Sequence, residues 1–246
     1  MTSAPPRAGR TSLGRTRATA ALPSGEAKRT AVRDMFDAIA PRYDFVNKVM
    51  TLGLDSAWRR RTVGLLGLPR PSDVLDVACG TGDFIRLLQR IGHRPIGIDF
   101  SAGMLENARA GGASLLRADA AMMPVRSASV DGAVSGFALR NFVEIGAVLA
   151  ELSRVVRPGG RIALLEVAEP ANPLLRAGYR VWFEGAVPRI GRLLSDASAY
   201  RYLPQSVAYL PAPEHLLSVI AEAGFAEVRR HTLTGGSVQV LTGTRA

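Results

Sequence analysis

"VLDVACGTGDF", Val74–Phe84, decides the fold. Apolar residues lead into Gly80 and Gly82, and "DFIRLLQR" then takes up helical spacing. A strand, a glycine turn and a helix in that order open a βαβ unit. Such a turn holds either the pyrophosphate of a dinucleotide or the methionine end of S-adenosylmethionine (AdoMet). A dinucleotide fingerprint wants a third glycine where Ile85 stands. Asp83 at the helix start would also repel a pyrophosphate that needs the bare helix N-terminus. A ligand with a sulfonium and an ammonium does not meet that repulsion. Gly80 and Gly82 permit close backbone approach, and Asp76 can accept from an ammonium directly or through water. The turn therefore favours AdoMet, against the plain alternative of a tight turn capped by Asp83.

The next strands extend the pocket. "RPIGIDFSAGML" ends a strand at Asp99, on the carboxyl edge where open parallel sheets bind ligands. A carboxylate there accepts both hydroxyls of a ribose. Phe100 and Met104 can cover a purine with apolar surface. "RADAAMMP" places Asp119 after the third strand, in reach of an exocyclic amine, with the Ala120 backbone beside it. Asp99 or Asp119 alone reads equally well as a helix cap; acids after three successive strands read better as a ligand edge.

Strands are expected near Val74–Ala78, Pro95–Asp99, Ser114–Arg117, Asp131–Ser135 and Arg161–Val167, with helices between them, most clearly over Val143–Val156. "RPGG" at Arg157–Gly160 ends that helix and restarts a strand. A helix near Glu214–Ala223 and the strand-like runs "FAEVRRHTL" and "SVQVLTGTR" close the chain. The rhythm predicts an α/β fold with a doubly wound, mostly parallel sheet and helices on both faces.

The chain has 246 residues, 47% hydrophobic and 21% charged, which fits one domain with a large core. No apolar run approaches the ~20 residues of a membrane span. Cys79 is the only cysteine, so no internal disulfide forms and a reducing cytoplasm is the natural setting. His93, His215 and His231 lie too far apart for metal-ligand spacing, and no metal is expected. The net charge of +10 favours anionic surfaces, nucleic acid or a membrane leaflet. Residues 1–28, rich in Arg, Ala, Ser, Thr and Pro, read as a disordered basic tail. Their composition also suits a transit peptide. Residues 29–246 read as a single domain: a helical cap over 29–70, with Pro41 breaking its run, the βα core, and an insertion over 171–212.

The motifs resemble those of the quinone-ring C-methyltransferases of menaquinone and ubiquinone biosynthesis. "FDAIAPRYDFVNKVMTLGLDSAWRR", "VLDVACGTGD", "GFALRN", "RVVRPGGRIALLEV", "PRIGRLLSDASAYRYLPQSV" and "AGF" carry the resemblance from Val32 to about Gly236. It implies a class I AdoMet-dependent fold with a seven-stranded sheet. It also implies cofactor contacts at Thr81, Asp99, Asp119 and Ala120. The family pattern usually has serine where Gly136 stands, histidine where Asp55 stands and methionine where Val46 stands. Any contact from that hydroxyl is lost, while a backbone contact at Gly136 can remain.

The implied reaction methylates a ring carbon of a reduced, prenylated hydroquinone such as demethylmenaquinol. Loss of a phenolic proton drives density onto the ring carbon, so the protein must stabilise a phenolate. Arg140, just past the fourth strand, stays protonated and suits that task. Asn141 can orient a hydroxyl, or cap the helix that follows. Tyr43, Asp44, Asp55 or an ordered water stand open as the base. The insertion mixes Leu174, Leu175, Tyr179, Trp182 and Leu193 with Arg176, Arg180, Arg189, Arg192 and Arg201. It suits a lid touching both a prenyl chain and the inner face of a membrane, or equally an ordinary core helix. Nucleic-acid methylation is disfavoured. The fourth-strand turn reads "GFAL" rather than Asn/Asp-Pro-Pro-aromatic, and Cys79 is not in a Pro-Cys pair. A methyltransferase of another phenolic or polyketide acceptor, or a non-catalytic AdoMet-binding partner, are the rival readings. Oligomeric state is not legible.

Overall fold

The computed structural model describes residues 24–108, 111–186 and 206–246. The expectations for residues 1–23 and for the second half of the insertion, 187–205, lie outside these described residues.

Seven strands form one sheet. They are β1 Asp73–Val77, β2 Arg94–Asp99, β3 Ser114–Arg117, β4 Val130–Gly136, β5 Val156–Val167, β6 Phe225–Leu233 and β7 Val238–Arg245. Their order is β3-β2-β1-β4-β5-β7-β6. The pairs β1–β2, β1–β4, β2–β3 and β4–β5 are parallel, and β7 runs antiparallel to both neighbours. The expected strands and the mostly parallel architecture are therefore present. The one notable boundary change is at "RPGG", which lies inside β5 as its irregular start rather than before it.

Alternation along the strands builds two cores. Leu75, Val77, Ile98, Ile162 and Leu164 face helices α6 (Ile145–Val155) and α8 (Pro213–Glu222), meeting Leu149, Leu152, Leu216 and Ile220. Val74, Val134, Ala163, Leu165 and Val240 face the other side. There, α3 (Asp55–Leu66) supplies Val63 and Leu66, and α4 (Asp83–Arg90) supplies Phe84, Leu87 and Leu88. The chain winds from β1 outward to β3, then returns to place β4 on the other side of β1. The crevice beyond the carboxyl ends of β1 and β4 is the ligand position of a doubly wound sheet.

The N-terminal cap roofs that crevice. Helix α1 spans Gly25–Ile39, a 3-10 turn Ala40–Arg42 follows at Pro41, and α2 spans Tyr43–Met50. Asp37 of α1 accepts from Ser101 Oγ and from Gly103 N at 3.0 Å, which pins α1 to α5 (Ala102–Asn107). The expected tail boundary at residue 28 is corrected here. Gly25–Lys28 form the first turn of α1, and Lys28 is buried, donating through Nζ to the Phe142 carbonyl and lying 3.9 Å from the Tyr209 ring centroid. Composition hid this because a tertiary partner, not an apolar face, holds the turn. Lys28→Ala should leave a buried carbonyl unsatisfied at a cost of about 1–2 kcal/mol. For a chain of this size that lowers Tm by roughly 2–8 °C. An unchanged melting curve would show that the helix start does not dock.

Candidate active site

Two non-glycine residues take left-handed backbone where the central strands end: Ala78 (φ 57°) after β1 and Phe137 (φ 60°) after β4. Such strain, of order 1–3 kcal/mol per residue, gathers where structure serves function. It turns the Gly80–Gly82 loop and the "GFALRN" loop toward each other. Gly80 (φ 54°) and Gly82 (φ 86°) complete the first turn, with Gly82 as the N-cap of α4.

A cavity of about 350 Å³ opens between these loops and α1. Gly80, Asp99, Phe100, Met104, Asp119, Ala120, Gly136, Tyr43 and Asn141 line it. Asp99 Oδ2 accepts from Gly80 N at 2.8 Å and Oδ1 from Ser101 N at 2.9 Å. Burial pushes the Asp99 carboxyl above its ordinary value, opposed by the Ser101, Gly80 and Phe100 amides. Asp119 Oδ1 accepts from Ala121 N at 2.9 Å, while Oδ2 pairs with Arg29. The Arg29 guanidinium also lies 4.9 Å from the Phe100 ring centroid. Ser101, not Asp99, caps α5, its Oγ accepting from Met104 N at 3.0 Å.

Asp76 and Thr81 lie beneath the turn rather than on the cavity wall. Asp76 is buried, and neither carboxylate oxygen has a hydrogen-bond partner of normal geometry. Burial lifts its carboxyl to about 8, helped by Asp99 and Asp83 and opposed by Arg59 and the Ile85 amide. A buried orphan acid beside a glycine turn fits a ligand that carries an ammonium. Thr81 Oγ1 donates to Asp44 Oδ1 at 2.5 Å, which joins the turn to α2.

A second cavity, about 270 Å³, lies behind the first. Met50, Leu52, Leu54, Trp58, Val167, Leu175, Tyr179 and Trp182 give it apolar walls, with Asn47 and Arg140 as polar points. Tyr43 and Phe137 line both cavities. Arg140, in the 3-10 turn Leu139–Asn141, is buried; it pairs through Nη1 with Glu166 and donates through Nε to Ser206 Oγ at 3.1 Å. Glu166 Oε2 also accepts from the Arg140 amide at 3.2 Å.

The candidates for base fare unequally. Burial raises the Tyr43 phenol, with Arg59 and Arg140 pulling it back, so it remains a hydroxyl donor near neutral pH. Asp55 is buried and accepts from Asn47 Nδ2 at 3.3 Å and Thr51 Oγ1 at 3.4 Å. Asn141 donates to the Phe137 carbonyl at 3.3 Å, and α6 starts from Glu144, so the capping alternative for Asn141 is set aside. Arg59, Phe137, Trp58 and Glu166 also stand around the two cavities; they lie inside the family motifs, but nothing in the sequence singles out the first three as site residues. Glu166 had one signal: an acid inside the apolar run "ALLEVA" needs a buried partner.

Residues 24–245 match the ubiE/COQ5 methyltransferase family. The chain belongs to that family. A ubiquinone/menaquinone biosynthesis C-methyltransferase of Syntrophotalea carbinolica is 40% identical over 222 residues, covering 87% of this chain and 94% of the relative. A demethylmenaquinone methyltransferase of Deinococcus radiodurans is 43% identical over 227 residues, covering 89% and 94%. Among solved structures, phosphoethanolamine N-methyltransferase 2 of Haemonchus contortus, in complex with S-adenosyl-L-methionine, superposes with a TM-score of 0.63 at 13% identity, covering 87% of this chain and 60% of that one. At that identity the likeness speaks for the fold. Family membership makes the chain an AdoMet-dependent C-methyltransferase of the quinone-ring type, as the motifs implied. The residues around the first cavity fit that cofactor: orphan Asp76, the ribose-ready Asp99 and the apolar Phe100 and Met104.

Proposed function

We propose that this enzyme methylates a ring carbon of demethylmenaquinol, with the first cavity holding AdoMet and the second holding the reduced ring. The observation that carries this reading is the shared wall: Tyr43 and Phe137 line both cavities, so donor and acceptor would meet there. Asp76, Gly80, Thr81, Gly82, Asp99, Phe100, Asp119, Ala120 and Gly136 would hold the cofactor, which supplies an electrophilic methyl group when bound.

The chain's own residues then position and polarise the acceptor. Trp58, Trp182 and Met50 enclose the ring and exclude water, which strengthens every charge interaction inside. Trp58 Nε1 donates to Thr234 Oγ1 at 2.8 Å and Trp182 Nε1 to the Met50 carbonyl at 3.1 Å, so both rings are held in place. Arg140 stabilises the phenolate, Tyr43 donates a hydrogen bond, and Asn141 orients a hydroxyl at the cofactor side. The Glu166 pair fixes the guanidinium before charge develops, as preorganised stabilisation requires.

The prenyl tail would leave past Leu52, Leu54 and Leu175, which line the second cavity and reach solvent. Leu174 (81% exposed) and Val181 (73% exposed) continue the apolar surface on α7 (Pro173–Arg180) and just beyond it. Among the described residues no helix is long and apolar enough to cross a membrane. A peripheral seat on an anionic leaflet suits this rim and the net charge of +10.

Incubation of purified protein with labelled AdoMet and chemically reduced demethylmenaquinone should give menaquinol, identified by product mass, with no product from the oxidised quinone. Turnover only on a phenolic or polyketide acceptor, or AdoMet binding with no turnover, would replace this reading with one of the two rivals.

A further inference from the structure

Arg59 is a buried guanidinium, on the wall of neither cavity. It rises from α3 on the sheet face that also carries Asp76 between Leu75 and Val77. Two aromatic faces fix it: its Cζ lies 4.9 Å from the Phe84 ring centroid and 5.8 Å from that of Phe137. Nη2 stands 3.4 Å from Asp83 Oδ2, at the first residue of α4. Nε is 4.0 Å from Asp55 Oδ2, too far for a hydrogen bond, and is buried without a partner. A Cβ added at Gly136 would lie 2.8 Å from Nη1, so the guanidinium reaches the backbone of a residue that lines the cofactor cavity.

A buried acid and a buried guanidinium thus flank the glycine turn, both with unsatisfied atoms: Asp76 and Arg59. The methionine end of AdoMet is an α-amino acid, and a zwitterion satisfies both. Its carboxylate must otherwise enter a corner held by Asp76, Asp83 and Asp99. The neighbouring cations are engaged elsewhere. Arg86 pairs with Asp83 and donates to the Thr81 carbonyl at 2.7 Å, and Arg140 lines the second cavity rather than the first. We infer that Arg59 binds the α-carboxylate of AdoMet, opposite Asp76 on the ammonium, with Gly136 leaving the space the guanidinium needs. A serine at residue 136 would crowd Nη1 and the Phe84 ring, so the glycine here and Arg59 form one device.

The inference rests on the cofactor reading, and the test separates the two. Calorimetry compares S-adenosylhomocysteine with 5′-methylthioadenosine, which keeps the adenosine and the sulfur but lacks the amino-acid end. Arg59→Met in the full chain should lower affinity for S-adenosylhomocysteine roughly tenfold to a hundredfold, the effect of losing a charge-assisted contact. Affinity for 5′-methylthioadenosine should not change. An equal fall for both ligands, or no fall for either, overturns the assignment. If Arg59→Met does not fold, Arg59→Lys carries the same comparison, since it keeps charge but loses the planar fork. A smaller loss confined to S-adenosylhomocysteine supports the assignment, and equal effects on both ligands overturn it. Wild-type protein that binds neither ligand would remove the cofactor reading and this inference together.

Discussion

Arg140→Ala should lower kcat by on the order of 10²–10³, the usual effect of removing one donor aimed at a developing oxyanion. AdoMet affinity should hold, because Arg140 lines the second cavity and not the first. The Glu166 pair complicates the single variant. Removing Arg140 leaves Glu166, 0% exposed, as a buried unpaired charge. Breaking such a pair typically destabilises by about 3–5 kcal/mol, so Tm should fall by roughly 6–20 °C for a chain of this size. A drop in activity alone therefore does not separate chemistry from packing. Arg140→Met combined with Glu166→Gln separates them. The double variant removes both charges and keeps apolar volume, so most of the lost stability should return. If Arg140 stabilises the phenolate, kcat stays low; recovery of kcat together with Tm would reduce Arg140 to an anchor of its turn. Arg140→Lys should not restore full activity, since a point charge replaces a two-pronged donor already oriented by Glu166 and Ser206. The deficit should shrink with an acceptor whose phenol is ionised at the assay pH.

The sheet and the acids along its edge were legible because period-two alternation and glycine turns are local signals. Asp99 ends its strand and Asp119 follows the next strand by two residues, and a doubly wound topology carries strand ends to one edge whatever the helices do. The second tier of the site depends on tertiary orientation. Trp58, Arg59, Arg60 and Arg61 follow one another on α3, about 100° apart around the axis. Arg59 is buried while Arg60 and Arg61 are exposed. Nothing in the run "WRRR" marks the inward one until the helix is set against Phe84 and Phe137. The same holds for Lys28 and Arg29, whose neighbours in sequence read as tail but whose partners are Phe142 and Asp119. Ala78 and Phe137 gave no warning of left-handed backbone, because neither residue type favours it. The surrounding structure enforces those turns, and they are what brings the two cavities to a common wall.

Asp76 should make cofactor binding strongly dependent on pH. Its carboxyl is pushed up to about 8, first by burial and then by the Asp99 and Asp83 charges, against the pull of Arg59 and the Ile85 amide. Below that value the group is mostly protonated, and an acid proton must leave before the carboxylate can hold an ammonium. AdoMet affinity should therefore rise by up to about tenfold per pH unit between roughly pH 5.5 and 7.5. The window closes there because an α-amino group itself loses its proton near ~7.7–8.0. Asp76→Asn should bind weakly and with little pH dependence across the same range. Stability of the ligand-free chain should move the opposite way. A carboxyl raised in the folded state adds stability that is complete below its unfolded value of ~3.9 and is lost as pH climbs through about 8. Asp76→Asn should thus raise Tm most at pH 9, less at pH 5 and hardly at all below the unfolded carboxyl value of ~3.9, while weakening AdoMet binding at neutral pH. The wild-type residue gives up ligand-free stability for a carboxylate that the cofactor ammonium neutralises. An affinity that stays flat from pH 5.5 to 7.5 in the wild type, or a variant no more stable at pH 9, would show that Asp76 does not meet the ammonium as a buried acid.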